Sequence, residues 1–166
     1  MKAIILLNGP SSSGKSTLSK ALQKLLKDHH QSYEIVDIDD FMKIGTDEKI
    51  YEDDVFEISM DMNTATKEYL NTSDGVIVDH VITSERIYKQ FLDMFKGYKV
   101  IKVHISCPID VLLSREQARG NRNKGTANDS YTYLYPKKGY DITIDTSKLS
   151  IEEAALNLYK VIPYVR

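Results

Sequence analysis

The sequence predicts an α/β fold in which a five-stranded parallel sheet is flanked by helices. Short runs rich in Val and Ile alternate with segments of helical period, which is the pattern of strands connected by helices. The runs are continuously apolar, which is typical of parallel strands buried on both faces. A chain of 166 residues that is 42% apolar has the size and core content of one compact domain. We therefore expect a single domain over residues 1–166.

The elements follow in order along the chain. The predicted strands are Lys2–Leu7, Tyr33–Ile38, Gly75–Asp79, Lys99–Ile105 and Asp141–Ile144. The predicted helices are Lys15 to about Asp28, one within Val55–Leu70, Glu85–Phe95, Pro108–Arg119 and Ile151–Ile162. Pro108 favours a first helical position, and Ser150 with Glu153 forms a capping-box pattern before the last helix. Residues 39–54 and 120–140 are expected to be irregular and to lie at the ligand edge of the sheet.

Composition excludes several classes of function. The net charge of −2, from 22 Lys+Arg against 24 Asp+Glu, argues against a nucleic-acid-binding protein, which would carry a basic surplus. One cysteine cannot form an internal disulfide, and the apolar N-terminal run is too short for a signal peptide. No run of 18 apolar residues predicts a membrane span. We expect a cytoplasmic protein without a membrane or nucleic-acid partner, and its oligomeric state stays open.

A complete phosphate-loop motif follows the first predicted strand. Residues 9–16 read G-x-x-x-x-G-K-S, directly behind the apolar run at residues 3–7. In this motif the glycines let backbone N–H groups surround phosphate oxygens, the lysine charge faces the β and γ phosphates, and the serine hydroxyl reaches Mg²⁺. The predicted nucleotide-binding residues are Gly9, Pro10, Ser11, Ser12, Ser13, Gly14, Lys15, Ser16 and Thr17. The chain is therefore expected to bind a nucleoside triphosphate, with Ser16 as a metal ligand.

Acidic residues end two further strands, where ligands of open parallel sheets bind. Asp37 and Asp39 would fall on one face of the second strand, so that one carboxylate could hold Mg²⁺ while the other orients or deprotonates a substrate hydroxyl. Asp40 is interpreted as a helix N-cap. Asp79 ends an apolar run and is a candidate for a metal or substrate contact, whereas the adjacent His80 is more often a structural residue in such a place.

Three arginines recur at helical spacing behind the fourth strand. Arg115, Arg119 and Arg122 would share one face of a helix, which suggests a lid over residues 115–135 whose guanidinium groups neutralise the transferred phosphoryl group. The alternative is a solvated helix face with partners such as Glu116. Nearby tyrosines are interpreted as packing residues that flank a strand rather than as a base-stacking platform; they are Tyr131, Tyr133, Tyr135 and Tyr140.

With these motifs the chain resembles the chloramphenicol phosphotransferase-like group of P-loop small-molecule kinases. The strongest resemblance lies in the C-terminal third, through residues 115–127 and 140–146. It implies a P-loop kinase fold and an ATP- and Mg²⁺-dependent transfer of the γ-phosphoryl group to a hydroxyl of a small molecule. By that resemblance Asp39 is the general base, Lys15 and Ser16 bind phosphate and Mg²⁺, and Arg119 and Arg122 are lid arginines that act in catalysis.

Further roles are assigned within this framework. Arg115 and Arg119 are candidate nucleotide-binding residues, and Asp37 and Asp79 are candidate metal ligands beside Ser16. Asp37 and His80 depart from the pattern of the chloramphenicol enzymes, because a non-acidic residue is usual at the first position and an acid is common at the second. Asp37 resembles instead the D-x-D of shikimate-kinase-like enzymes.

The acceptor is the part of the reaction that the sequence leaves open. Residues 40–72 are the expected acceptor-binding region, with Asp39, Asp79 and His80 as further acceptor contacts. This region is rich in Asp and Glu, which indicates either a polar, cationic acceptor or simply a solvated loop. A nucleoside, nucleotide or shikimate-type metabolite kinase is an alternative, although the region holds no arginine for a second phosphate. A nucleotide-binding regulatory protein is the alternative from another class.

Overall fold

A computed structural model describes residues 2–42, 51–120 and 124–165, and it has the predicted five-stranded parallel sheet. The strands are β1 Ala3–Asn8, β2 Tyr33–Asp37, β3 Gly75–His80, β4 Lys99–Ser106 and β5 Ile142–Asp145. Their order across the sheet is β2-β3-β1-β4-β5, and every neighbouring pair is parallel. The carboxyl ends of β1, β2 and β3 therefore meet at one edge, which positions the phosphate loop beside the acidic strand ends.

Helices cover both faces of this sheet. They are α1 Lys15–Asp28, α2 Glu52–Thr72, α3 Glu85–Met94, α4 Ile109–Arg119, α5 Thr126–Tyr133 and α6 Ile151–Val161. On one face, α1 and α6 pack against the sheet through a cluster that includes Leu18, Leu22 and Leu158. On the other face, α2 and α3 contribute a second cluster around Met62 and Phe91. In the described part of the chain, no helix is long and apolar enough to cross a membrane.

Burial along the strands differs between the centre and the edge of the sheet. All residues of β1 and β3 are buried, as their continuous apolar runs predict. In β4, buried residues largely alternate with half-buried ones, and β2 and β5 are also only partly buried, so the expectation of full burial is wrong for these three strands. The helices thus cover the centre of the sheet more completely than its outer strands.

The end of β2 departs from the predicted strand. The strand stops at Asp37, and residues Ile38–Asp40 form a short 3-10 turn. Asp37 Oδ1 accepts the Asp39 N–H at 2.9 Å, and this local side-chain bond competes with continuation of the strand. The expectation that Asp37 and Asp39 share a strand face is therefore wrong, as is the interpretation of Asp40 as a helix N-cap.

Helix α5 is the element that the sequence analysis missed. Residues 120–140 were expected to be irregular, but Thr126–Tyr133 form a helix. Tyr131 and Tyr133 lie on this helix with 44% and 65% of their surface exposed, so the interpretation as packing residues is wrong for them. Tyr135 and Tyr140 do pack, against Tyr88 and His104 respectively.

Candidate active site

A cleft of about 570 Å³ lies at the carboxyl edge of the sheet and brings most of the predicted site residues together. The predicted residues that line it are Ser11, Ser12, Gly14, Lys15, Ser16, Thr17, Asp37, Asp39, Asp79, Arg115 and Arg119. Gly9, Pro10 and Ser13 belong to the loop but do not line the cleft. The cleft thus contains predicted residues from the phosphate loop, the strand ends and α4.

The two motif glycines meet different steric demands. Gly14 adopts a φ of +91° at the N-cap of α1, which is a left-handed conformation that favours glycine. A Cβ on Gly9 would lie 2.6 Å from the carbonyl oxygen of Ile105, so Gly9 lets the loop lie against β4. Gly14 thus shapes the turn into α1, and Gly9 seats the loop on the sheet.

The loop presents polar groups that fit a phosphate chain. The hydroxyl oxygens of Ser11, Ser12 and Ser13 are buried without a hydrogen-bond partner in the described structure. The first N–H groups of α1 have no acceptor within the helix, and the helix dipole adds positive potential there. Lys15 is 6% exposed, and its Nζ donates to the Pro10 carbonyl at 2.9 Å. An anion at this position would satisfy buried donors and meet a positioned ammonium group.

Ser16, Asp37 and Asp79 together form a candidate binding site for a cation. Ser16 Oγ lies 3.0 Å from Asp79 Oδ2 and 3.2 Å from Asp37 Oδ2. Burial raises the pKa of Asp37 above its usual value and raises the pKa of Asp79 to about 6, although Lys15 opposes the second shift. Two carboxylates and a hydroxyl are oxygen donors of the type that Mg²⁺ prefers.

This cation position is incomplete by itself. The described residues contain no group of three or more His, Cys, Asp or Glu side chains that could hold a metal ion. Mg²⁺ is six-coordinate, keeps several waters and commonly takes substrate phosphate oxygens as ligands. The residues present therefore fit a metal ion that binds together with a nucleotide, with Asp37, Asp79 and Ser16 as the protein groups nearest to it.

Asp39 occupies a different place from the other acids. It lies in the 3-10 turn after β2, is half-buried and lines the cleft, whereas its neighbour Asp40 is exposed and does not line it. Asp37 and Asp79 both contact Ser16 Oγ, whereas Asp39 lines the cleft from the 3-10 turn. One acid can therefore sit near a metal ion while the other meets a second substrate.

The predicted arginine row divides into residues with different surroundings. Arg115 donates from Nη1 to Thr146 Oγ1 at 3.1 Å and from Nη2 to the Thr146 carbonyl at 3.0 Å. Thr146 in turn donates to the Ser13 carbonyl at 2.6 Å, so Arg115 secures the loop after β5 against the phosphate loop. Arg119 is exposed and lines the cleft at the last residue of α4. Arg122 lies outside the described residues.

His80 does not contact the cleft, contrary to its expected role in acceptor binding. Its side chain is completely buried, its Nδ1 accepts the Val81 N–H at 2.8 Å, and its Nε2 lies 3.3 Å from Ser59 Oγ of α2. Burial lowers its pKa to about 3, assisted by Lys15, so the imidazole is neutral near pH 7. His80 therefore connects β3 to α2 as a structural residue.

Sequence reasoning also missed the residue that ties the edge of the cleft together. Asn8, at the end of β1, donates from Nδ2 to the Tyr135 carbonyl and to the Tyr140 hydroxyl, both at 2.9 Å. Its Oδ1 accepts the Ile82 N–H at 2.9 Å. In the sequence, Asn8 is recognisable only as a polar residue at the end of an apolar strand. Its partners lie 74 to 132 residues away along the chain and cannot be identified from the local sequence.

The acidic residues described between 52 and 61 lie on the surface of α2, while residues 43–50 of the expected acceptor-binding region lie outside the described residues. Arg86 of α3 pairs with Glu52 at 2.9 Å and with Asp53 at 2.6 Å, and its guanidinium lies 4.1 Å from the centre of the Phe56 ring. None of the acidic residues described between 52 and 61 lines the cleft that contains Lys15. These carboxylates face solvent, and those of Glu52 and Asp53 join α2 to α3 through Arg86. The described acidic residues therefore do not support a cationic acceptor.

Comparison with solved structures identifies the fold. The APS kinase of Mycobacterium tuberculosis, solved in complex with AMPPNP and APS, superimposes with a TM-score of 0.80 over 98% of each chain at 16% sequence identity. A gluconokinase from Sinorhizobium meliloti has a TM-score of 0.69 over 98% of this chain and 94% of its own, at 17% identity. The chain has a P-loop kinase fold, as predicted.

Comparison of sequences identifies the family. A protein of Mycobacterium tuberculosis strain H37Rv, provisionally named as an O-phosphotransferase, is 25% identical over 191 aligned positions that cover 97% of this chain and 84% of the relative. The sequence model of the chloramphenicol phosphotransferase-like family matches residues 2–163. Because this match covers nearly the whole chain and agrees with the fold and the cleft, the protein belongs to the chloramphenicol phosphotransferase-like family.

Proposed function

We propose that the protein is an ATP-dependent small-molecule kinase that moves the γ-phosphoryl group to a hydroxyl of a small acceptor. One observation carries this proposal: Lys15 of the phosphate loop, Asp39 and Arg119 line the same cleft. These residues supply a phosphate-binding cation, a proton acceptor and a second cation, which are the groups that phosphoryl transfer requires. The family assignment and the fold of the structural relatives support it.

At the donor end, the phosphate loop would hold the triphosphate. Backbone N–H groups at the start of α1 and the Lys15 ammonium would bind its β and γ oxygens, and Arg119 would approach from the end of α4. These cations stabilise the negative charge that spreads over the transferred group in the transition state. A Mg²⁺ ion held near Ser16, Asp37 and Asp79 would neutralise further phosphate charge.

At the acceptor end, Asp39 would receive the proton of the attacking hydroxyl. The bond between the acceptor oxygen and the γ phosphorus forms as the bond from that phosphorus to the β–γ bridging oxygen breaks, and ADP leaves. Asp39 suits this role because it lines the cleft from the turn after β2, while Asp37 and Asp79 contact Ser16. The three carboxylates are thereby divided between a metal position and a base position.

The absence of arginine from residues 41–72 favours an acceptor that carries no phosphate of its own. A nucleotide kinase would need a second set of cations for the phosphate of its acceptor, and arginine is the usual residue for such planar recognition. The proposal therefore favours a hydroxyl compound without a phosphate group over a nucleoside monophosphate.

The proposal is tested by measuring ATP consumption by the purified chain with Mg²⁺ and a panel of hydroxylated compounds. The panel contains sugars, amino alcohols, neutral alcohols and nucleoside monophosphates. We expect consumption to depend on an added acceptor that lacks phosphate, with a phosphorylated acceptor detected by mass spectrometry. Lys15→Ala serves as the inactive control. Steady ATP hydrolysis that no acceptor stimulates, or selective phosphorylation of monophosphates, would contradict the proposal.

A further inference from the structure

Helix α5 contacts the phosphate loop directly, and this contact carries an inference about how the loop is held. Ser130 of α5 accepts the backbone N–H of Ser11 at 2.9 Å, and the Ser130 side chain is 5% exposed. The Ser130 hydroxyl lies 2.8 Å from the Thr126 carbonyl and 3.1 Å from the Ala127 carbonyl, to which it can donate its proton. Since that proton is used within the helix, Ser130 acts toward the loop as an acceptor.

The start of α5 is anchored by a buried carboxylate. Glu116 of α4 is 7% exposed and accepts the Ala127 N–H at 2.9 Å and the Gly125 N–H at 3.4 Å. These bonds satisfy N–H groups that have no acceptor within α5 itself, and a negative charge at this end also favours the helix dipole. Ala127 is completely buried, which fixes the first turn further.

The segment after α5 is anchored at the carboxyl edge of the sheet. The Tyr135 N–H donates to the Ile82 carbonyl at 2.9 Å, and the Tyr135 carbonyl accepts from Asn8 Nδ2 at 2.9 Å. Both partners lie at or just beyond the ends of β1 and β3. Helix α5 is thus tied to α4 at one end and to the sheet edge at the other, with Ser130 above the phosphate loop between them.

We propose that Ser130 is a positioning residue that fixes the phosphate loop in its anion-binding shape, and that α5 is a fixed brace over the loop rather than a moving part of a lid. This inference rests on the proposed function, in which the loop binds the nucleotide. Ser12 has a φ of +67°, a left-handed conformation that is unfavourable for serine and that a free loop would leave readily. Holding the Ser11 N–H restricts the loop before the nucleotide arrives, which lowers the entropy lost on binding.

Substitution of Ser130 tests this role against a matched control on the same helix. Ser130→Ala should weaken binding of a nonhydrolysable ATP analogue about fivefold, the value of one typical hydrogen bond, with kcat at saturating ATP and the KM of the acceptor unchanged. Ser130→Thr keeps the hydroxyl and should restore binding. Thr132→Ala removes an exposed hydroxyl that bonds only to the Asn128 carbonyl at 2.8 Å, and it should bind the analogue like the wild type.

Hydrogen exchange at the Ser11 amide gives a readout that does not depend on catalysis. In the nucleotide-free protein we expect slow exchange in the wild type and in Thr132→Ala, and faster exchange in Ser130→Ala. Ser130→Cys replaces the hydroxyl by a larger and weaker acceptor, so its exchange rate should lie between those of the wild type and Ser130→Ala, and it covers the case in which the alanine variant does not fold.

The outcomes separate this inference from the proposed function. Unchanged exchange and affinity in Ser130→Ala would overturn the positioning role. Tighter binding of the analogue would also overturn it, because Ser130 would then compete with phosphate for the Ser11 N–H. If the wild type fails to bind the analogue, the proposed function fails, while the exchange at Ser11 still decides whether Ser130 holds the loop.

Discussion

The donor side of the molecule and the proposed acceptor side are held together by different kinds of contact. On the donor side, which we define as the phosphate loop with Arg115, Ser130 and Thr146, the loop is fixed by mostly buried hydrogen bonds from two other segments of the chain. On the acceptor side, defined as α2 and α3, the helix ends are joined by exposed ion pairs of Arg86. The donor side is therefore more completely determined by its own contacts.

Buried polar atoms without a partner among the described residues occur on both sides. Asn63 is completely buried, and neither its amide nitrogen nor its amide oxygen has a partner among the described residues. Its neighbour one turn away, Ser59, contacts His80 at 3.3 Å. Buried polar groups without partners cost stability, and proteins retain them mostly where function requires them. The acceptor side thus carries polarity that its internal packing does not explain, as the phosphate loop does in the hydroxyls of Ser11, Ser12 and Ser13.

Among the changes that test this comparison, substitution of Asp39 is expected to have the largest effect, on the transfer rate. Asp39→Asn keeps the size of the side chain but removes its ability to accept a proton, so the transfer rate should fall by about 10²- to 10⁴-fold, the usual contribution of a general base. Nucleotide affinity should change little, because the donor side is intact. The measurement is kcat with a saturating acceptor beside the Kd of an ATP analogue.

Asp40→Asn is the matched control for that prediction. Asp40 lies next in the same 3-10 turn but is exposed and outside the cleft, so its substitution should leave both values near those of the wild type. Equal losses in the two variants would indicate that the charge of the turn, rather than the base, controls the rate. Full activity of Asp39→Asn would remove Asp39 from the mechanism.

The donor side is also the side that the sequence predicted best. The phosphate loop, the strand before it and the helix after it follow from a contiguous motif, because the chemistry constrains neighbouring residues. The convergence of Asp37, Asp39 and Asp79 followed from a general rule, since the carboxyl ends of parallel strands meet at one edge. The prediction that Asp37 and Asp39 share a strand face was wrong for a local reason. The strand ends at Asp37, whose side chain accepts the Asp39 N–H, and Asp39 lies in the turn that follows.

Non-local contacts explain the other errors. Helix α5 was missed because its sequence contains residues of weak helix propensity, and it is stabilised by Glu116 and by its contact with the phosphate loop. The charges of Glu52 and Asp53 were interpreted as a possible acceptor site, but their partner Arg86 lies more than 30 residues away. The identity of one residue does not show which distant residue will become its partner when the chain folds.

A second prediction concerns His80, which connects β3 to α2. His80→Gln should lower the free energy of unfolding at pH 7 by about 2 kcal/mol, because at least one buried group, the Val81 N–H or the Ser59 hydroxyl, loses its partner. Gln does not titrate, so the difference between variant and wild type should depend on pH. The measurement is urea unfolding of the nucleotide-free proteins between pH 7 and pH 3.

The sign of that dependence follows from the pKa of His80. Burial lowers it from 6.5 to about 3 in the folded protein, so the unfolded chain binds the proton more readily as pH falls below 6.5. The wild type therefore loses this contribution on acidification, and the gap to His80→Gln should narrow. Asp79, whose pKa is raised to about 6, acts in the opposite direction, but it is present in both proteins and cancels in the difference. A gap that stays constant would contradict a buried, neutral His80.

The smallest effects should come from a matched pair of arginines, one on each side. Arg115→Ala should lower the free energy of unfolding by about 1.5 kcal/mol, because it removes half-buried bonds to Thr146, and it should also weaken nucleotide binding. Arg86→Ala removes two ion pairs and a ring contact, yet solvent screens these exposed charges, so little change in unfolding is expected. Both are measured by urea unfolding. If Arg86→Ala proves the more damaging, the acceptor side is held by its surface charges, and the contrast between the two sides is wrong.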